Sequence, residues 1–280
     1  MTGPLRNFLT VDVEEWFHIC GVDGVLAADR WHTLPSRVEF TTDVTLALLA
    51  RHRITATFFV LGWVAERYPR LVGRIRCAGH EIASHGWSHR RVYEIDEPSF
   101  EEEVALTSAA LEAAGAPTPI GFRAPEWSIN DRSMWALAVL ARRGFRYDSS
   151  MAPLRLVGNP RYPQVPHRRE TPDGSLLEVP PLVVRRLGQR IPLGGGWGLR
   201  MSRPATVIRE IERRNRRGEP VTIFVHPWEL DPQPPRVTLP WPLRFSHYYR
   251  LSGFPERLDD ILASAHFGPI GDWAATGACV

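Results

Sequence analysis

A chain of 280 residues, 44% hydrophobic and 23% charged, has the length of a single α/β barrel and the composition of an ordinary globular protein. Every one of its 34 non-histidine basic residues is arginine, which excludes a Schiff-base lysine and a phosphate-loop lysine. The net charge of only +3 comes with arginine clusters at 185–190 and 213–217 that could touch anionic polymers but more often form solvated helix faces or helix ends; with no aromatic or glycine motif behind them, no nucleic-acid partner is expected.

No window approaches the ~18 apolar residues of a membrane span, and the N-terminal stretch carries carboxylates where a signal peptide needs an apolar core. A cytoplasmic location is the expectation, with oligomeric state left open. Cys20, Cys77 and Cys279 form no CxxC pair and read as buried small residues or free thiols.

In chain order, β-rich apolar runs fall at 8–13, 54–61, 81–84, 120–124, 145–148, 176–180 and 221–226. Helical patterns alternate with them at 37–52, 63–77, 99–114, 131–143 and 203–217. Ser99 with Glu102 reads as a capping box, Asn130 as an N-cap, and Ser202 before Pro204 as a third helix start. Gly115, Gly144 and Gly218 mark the corresponding stops. Residues 150–200 are the irregular part, proline-rich and then glycine-rich at 193–200. The fold class is therefore α/β, a distorted barrel of about seven parallel strands. No linker divides it, so 1–280 is expected to be one catalytic domain with 230–280 a C-terminal extension packed on it.

On this reading Asp12, His85, Arg123, Asp148 and His226 fall at or just past the C-terminal ends of strands, the edge where parallel α/β folds assemble their sites. Strand alternation in TVDVEEW puts Asp12 and Glu14 on one face and turns Glu15 away unless the strand ends at Val13, which leaves Glu14 and Glu15 both open as the acidic ligand. His85 and His89, four apart, with a carboxylate make a mononuclear metal site with open positions, though they could instead be satisfied within a capped turn. Arg123 before Pro125 can grip a carboxylate or be a plain strand exit. His226 could protonate an amine leaving group and Trp228 stack on a sugar ring, or both could be packed at a strand end. Asp148 could hold a histidine in its tautomer or merely cap a turn.

Together TVDVEEWF, SHGWSH, GFRAPEWSI, YDSS, the GGG segment and HPWELDPQPPR resemble the polysaccharide deacetylases, carbohydrate esterase family four. The likeness extends over roughly 5–275 and is most like the branch associated with exopolysaccharide and exosortase loci, which has an extra C-terminal region. It implies a barrel of about seven strand–helix units and removal of N-acetyl groups from hexosamine units of an oligo- or polysaccharide. It further implies Asp12 as general base, His85 and His89 as metal ligands, Arg123 orienting Asp12, His226 as general acid and Asp148 tuning His226. Trp127 and Trp228, with Pro125, would wall the sugar pocket. Val13 stands where the family carries its second aspartate, which moves the acidic ligand to Glu14, and Gly86 replaces the usual Ser or Thr after the first histidine. Zinc is the default ion for such a set. The rival readings are an allantoinase-like, metal-free amidohydrolase and an inactive carbohydrate-binding homologue.

Overall fold

Residues 5–18 and 26–276 are described by the structure, a computed structural model. Eleven strands run in chain order: β1 (Asn7–Val13), β2 (Thr57–Val60), β3 (Glu81–Ser84), β4 (Gly121–Phe122), β5 (Tyr147–Asp148), β6 (His167–Thr171), β7 (Gly174–Glu178), β8 (Val183–Arg186), β9 (Gln189–Pro192), β10 (Thr222–Val225) and β11 (Phe267–Gly268). Ten α-helices intervene: α1 (Val38–His52), α2 (Gly62–Arg67), α3 (Pro69–Cys77), α4 (Glu97–Ala113), α5 (Trp135–Arg142), α6 (Gly196–Met201), α7 (Pro204–Asn215), α8 (Trp241–Tyr248), α9 (Phe254–Leu262) and α10 (Ile270–Ala275).

The main sheet has the order β10-β1-β2-β3-β4-β5-β7-β6, with β11 added on β1. Its first seven strands are mutually parallel and coincide with the seven apolar runs; β6 closes the series as an antiparallel hairpin partner of β7. The sheet curls without closing, so the expected barrel is a half-barrel: β10 and β6 end the row unpaired to each other. Two-residue β4 and β5 leave little ladder on that side, whereas β1 and β2 pair along four residues.

The two faces of each strand have different fates, as period-two alternation requires. Leu9, Val11, Val13, Phe58 and Val60 pack outward into the main core with helix residues such as Leu49, Leu71, Val207 and Leu258. Phe8 and Phe59 point inward and join Ala83, Tyr147, Val179 and Ile270 as an apolar floor inside the curl. Above that floor the inward positions become polar: Thr10 and Asp12 climb β1 toward its C-terminal rim, and Glu14 follows just past its end.

Three local expectations need correction. The pattern at 63–77 is two helices, because Pro69 opens α3 and interrupts the ladder after α2. The helix expected from Ser99 starts at Glu97, with Asp96 as the N-cap accepting from the Ser99 N–H. Asn130 instead forms a tight turn with Arg132, and α5 starts at Trp135. Cys77 is exposed as a free thiol at the end of α3, and Cys20 and Cys279 lie outside the described residues.

Candidate active site

The ends of β1, β3 and β10 bring Asp12, His85 and His226 to one cavity of about 670 Å³, with Arg123 and Asp148 buried outside its lining. Asp12 is the penultimate residue of β1, His85 follows β3, Arg123 follows β4, Asp148 ends β5 and His226 follows β10. Parallel register (Val11 beside Val225, Val60 beside Ser84, Ser84 beside Phe122) brings these ends to one level.

Glu14, His85 and His89 offer a carboxylate oxygen and two imidazole nitrogens that all lie within 4.8 Å of one another. Glu14 Oε2 is 2.7 Å from His89 Nε2 and 3.8 Å from His85 Nε2. The Nδ1–H of His85 donates to the Arg123 carbonyl at 2.8 Å, which leaves the Nε2 lone pair facing Glu14. Burial works to raise the Glu14 carboxyl, but His89, His85 and His226 outweigh it and hold it well below the usual carboxylate range. A donor set of one oxygen and two nitrogens with open directions fits a zinc-class divalent cation. Glu15 is turned away, although β1 ends at Val13 and alternation no longer dictates its side. Its carboxylate accepts from Ser36 Oγ and from the backbone N–H groups of Arg37 and Val38, so it caps the start of α1.

The histidine loop is held from behind. Gly86 has φ 74 and His89 φ 57, left-handed values that only glycine adopts without strain. The Glu103 carboxylate of α4 accepts from the N–H groups of Trp87 and Ser88 and from Ser88 Oγ, and the N–H groups of Gly62 and Trp63 donate to the carbonyls of Gly86 and Trp87. Beside the loop, His18 stacks on His89 at 6.0 Å with its Nδ1 accepting from the Glu15 N–H.

Arg123 sits between the apolar floor and the cavity, fully buried. Its NH1 donates to Asp12 Oδ1 at 2.6 Å and Thr10 Oγ1 at 2.7 Å, while Nε and NH2 reach the carbonyl and hydroxyl of Ser149. Its plane lies 4.3 Å from the Phe59 ring centre and 4.7 Å from that of Trp127. Trp127 and Glu126 line the cavity on left-handed backbone, φ 56 and 55, and Glu126 is tied to Arg91. Pro125 is buried against Gly86 and does not line the cavity.

His226 turns Nε2 toward the other acids, 3.9 Å from both Asp12 Oδ2 and Glu14 Oε1. Its Nδ1 is held by Glu229 Oε2 at 3.0 Å, and Glu229 Oε1 accepts from Arg200 Nε at 2.9 Å. Burial disfavours the imidazolium, but the Glu229 hydrogen bond and the charges of Glu14, Glu229 and Asp12 override it and push His226 up to about 9.

Asp148 therefore does not have the expected part. Among the described residues no hydrogen bond or ion pair joins it to His226; its carboxyl accepts from Ser150 Oγ and lies against Glu178 in a fully buried acid pair. Trp228 lines the cavity as well; largely buried, it stacks on His226 at 5.3 Å and donates its Nε1–H to Glu14 Oε1 at 3.1 Å. Glu229 and Arg200 were not singled out from the sequence. The Glu three residues after a strand-end His in HPWEL was the available signal, since that spacing places a carboxylate on the N-terminal turn it caps.

The glycine-rich segment acquires a structural reason. Gly195 lies so close to Phe224 of β10 that a Cβ would stand 2.2 Å from the ring, and Gly194 accepts the Phe224 N–H. This approach lets α6 carry Trp197 to the cavity and Arg200 to Glu229.

Residues 31–147 match the family model described as polysaccharide deacetylase, and residues 149–275 match a domain of unknown function, DUF3473. A peptidoglycan-N-acetylglucosamine deacetylase of Bacillus cereus is 33% identical over 100 residues, which is 35% of this chain and 36% of that protein. A chitooligosaccharide deacetylase of Rhizobium leguminosarum bv. trifolii is 38% identical over 73 residues, 26% of this chain and 34% of its own. The chain thus spans about a third of the length of these curated relatives.

Among solved structures, a protein of Mycobacterium smegmatis described as a polysaccharide deacetylase superposes over 99% of this chain and 92% of its own, with TM-score 0.64 and 22% identity. A family 4 carbohydrate esterase of Streptomyces lividans, solved with acetate, gives 0.52 and 17% over 96% of this chain and 93% of its own. A family 4 pseudoenzyme of Bacillus anthracis gives 0.53 and 14% over 98% of this chain and 66% of its own, so likeness at this level speaks for the fold alone. The matched segments thus give the chain a polysaccharide deacetylase domain at 31–147 followed by a DUF3473 region at 149–275, on a half-barrel fold shared with the solved structures.

Proposed function

We propose that this protein hydrolyses N-acetyl groups on hexosamine units of an oligo- or polysaccharide, using a divalent cation, zinc by default, held by Glu14, His85 and His89. One observation carries the reading. The buried two-histidine, one-carboxylate cluster shares its cavity with an acid fixed by an arginine and a histidine fixed by a carboxylate. The names of the sequence relatives, deacetylases of peptidoglycan and of chitooligosaccharide, support the substrate class.

A cation bound there would lend Lewis acidity to the acetamide carbonyl and to the attacking water. Asp12 has Oδ1 committed to Arg123, so Oδ2 is the oxygen free to take the proton of that water. His226, with Nδ1 engaged by Glu229, presents Nε2 on the same side to pass a proton to the departing amine. Asp148 has no place in this reading, and Glu229 takes the orienting part instead. Trp127 and Trp228 stand in the cavity wall that would face the sugar, and Trp228 also steadies Glu14.

The site draws Asp12 and Glu14 from before the deacetylase match and His226 and Glu229 from the DUF3473 region. We infer that both regions are needed for one catalytic unit over 1–280. The test is acetate release from N-acetylglucosamine oligomers by zinc-loaded and chelator-treated protein, with circular dichroism to verify folding. Loss of turnover on chelation with the fold retained is expected. Undiminished turnover in verified metal-free protein would favour the metal-free amidohydrolase, and binding without turnover an inactive homologue.

A further inference from the structure

Seven large hydrophobic side chains are exposed among the described residues, and their distribution is uneven. Five of them (Leu156, Leu187, Trp197, Trp241 and Tyr249) stand on the segment 154–157, the β8–β9 hairpin with α6, and α8, which together frame the cavity mouth. Leu156 is 94% exposed, Leu187 97% and Trp241 74%. Leu187 sits at the hairpin tip with φ 49, ahead of Gly188 at φ 77. A two-residue turn of this kind favours Asn or Gly at its first position, so leucine there bears left-handed strain and gains no burial in return.

The same rim is charged with one sign. Stretches 152–169, 179–209 and 232–255, which carry these segments, contain no Asp or Glu and thirteen arginines, of which, among the described residues, only Arg200 is committed to an acid, buried against Glu229, in a chain with 31 acidic residues. Arg155, Arg185, Arg186 and Arg244 make no ion pair among the described residues. A solvated surface would intersperse both signs; a face of arginine, leucine, tryptophan and tyrosine matches the boundary of an anionic leaflet, with phosphates on the guanidinium groups and aliphatic tips in the acyl layer. A polyanionic glycan would use the arginines but leave Leu156 and Leu187 without a role.

We propose that this face seats on an anionic lipid surface, with the cavity mouth against the headgroup layer. No helix among the described residues is long and apolar enough to cross a membrane, so the contact is interfacial. The proposal goes beyond the reaction assigned above and does not depend on it.

The experiment is co-sedimentation of the full chain with vesicles of phosphatidylcholine alone and with roughly one-third phosphatidylglycerol, at near-physiological salt. Binding to the anionic vesicles is expected. R185S/R186S should weaken it about 25-fold, taking about fivefold per arginine, and L156D/L187D should weaken it at least about tenfold. All four side chains are solvent-exposed, and unchanged circular dichroism verifies that the variants fold. H89A should keep vesicle binding whatever it does to acetate release, which separates this proposal from the catalytic one. Failure of the wild type to pellet with anionic vesicles would overturn the proposal. So would an arginine effect with no leucine effect, the pattern of a polyanion site.

Discussion

Replacing Arg123 by alanine tests the architecture beneath the site. The guanidinium is 1% exposed and serves Asp12, Thr10 and both the hydroxyl and carbonyl of Ser149. Its removal leaves the Asp12 carboxylate buried without its counter-charge, a change that costs about 3–5 kcal/mol. An unfolding entropy of about 2.1 cal/mol/K per residue, over 280 residues, gives about 0.6 kcal/mol/K. The midpoint should therefore fall by about 5–9 °C in a calorimetric melt. Arg123→Lys keeps the charge, but one ammonium cannot reach four acceptors in the arginine's fork geometry, so it should fall between the wild type and alanine. The double variant D12A/R123A removes both charges, and a coupling of at least about 2 kcal/mol is expected between the two positions. A shift of R123A below about 2 °C, or additivity of the pair within about 0.5 kcal/mol, would show that Arg123 does not sustain Asp12.

Glu14→Ala should lower zinc affinity by at least about tenfold in an isothermal titration, whereas Glu15→Ala should leave it unchanged and instead destabilise the start of α1 by about 1–2 kcal/mol; the reverse order would place the ligand on Glu15. Trp228→Phe keeps the ring but deletes the donor to Glu14, and should weaken zinc binding by about tenfold, with an unchanged titration counting against this hydrogen bond. Burial raises Asp148 to about 6, and burial followed by repulsion from Asp148 puts Glu178 well above the usual range. The folded state then holds more protons than the unfolded one, so this pair's contribution is fully present below about pH 4, starts to be lost as pH rises through about 6 at Asp148, and goes on falling as Glu178 ionises at higher pH. Glu178→Gln should flatten that decline in urea midpoints, and parallel pH profiles would refute the assignment. Truncation after Asp231 removes β11 from β1 and the carbonyls of Ser246, His247 and Tyr249 from buried Arg200; insoluble or strongly destabilised protein is expected, and a soluble, active fragment would separate the regions.

The sequence alone determined the seven parallel strands, because each is a short apolar run between helical patterns and parallel strands buried on both faces need such runs. It also determined the inward face of β1: side-chain alternation has no freedom once Leu9, Val11 and Val13 are outside, so Asp12 must be inside, while Glu14 lies one residue past the strand and owes its place to the fold. Which groups meet across the site was decided only by tertiary structure. Asp148 and Glu229 are both carboxylates near a rim, and no periodicity distinguishes them; the turn after β10 delivers Glu229 to His226, while β5 and β7 press Asp148 against Glu178. Trp228 lines the cavity, and that its Nε1 also reaches Glu14, 214 residues earlier, is visible only in the fold. Whether the sheet closed was likewise beyond local pattern, since closure depends on the ladder that two-residue β4 and β5 can sustain with their neighbours and on the hairpin that caps the row. Local composition sets the face a side chain takes; the partner it finds there depends on chain crossings that only the folded molecule brings together.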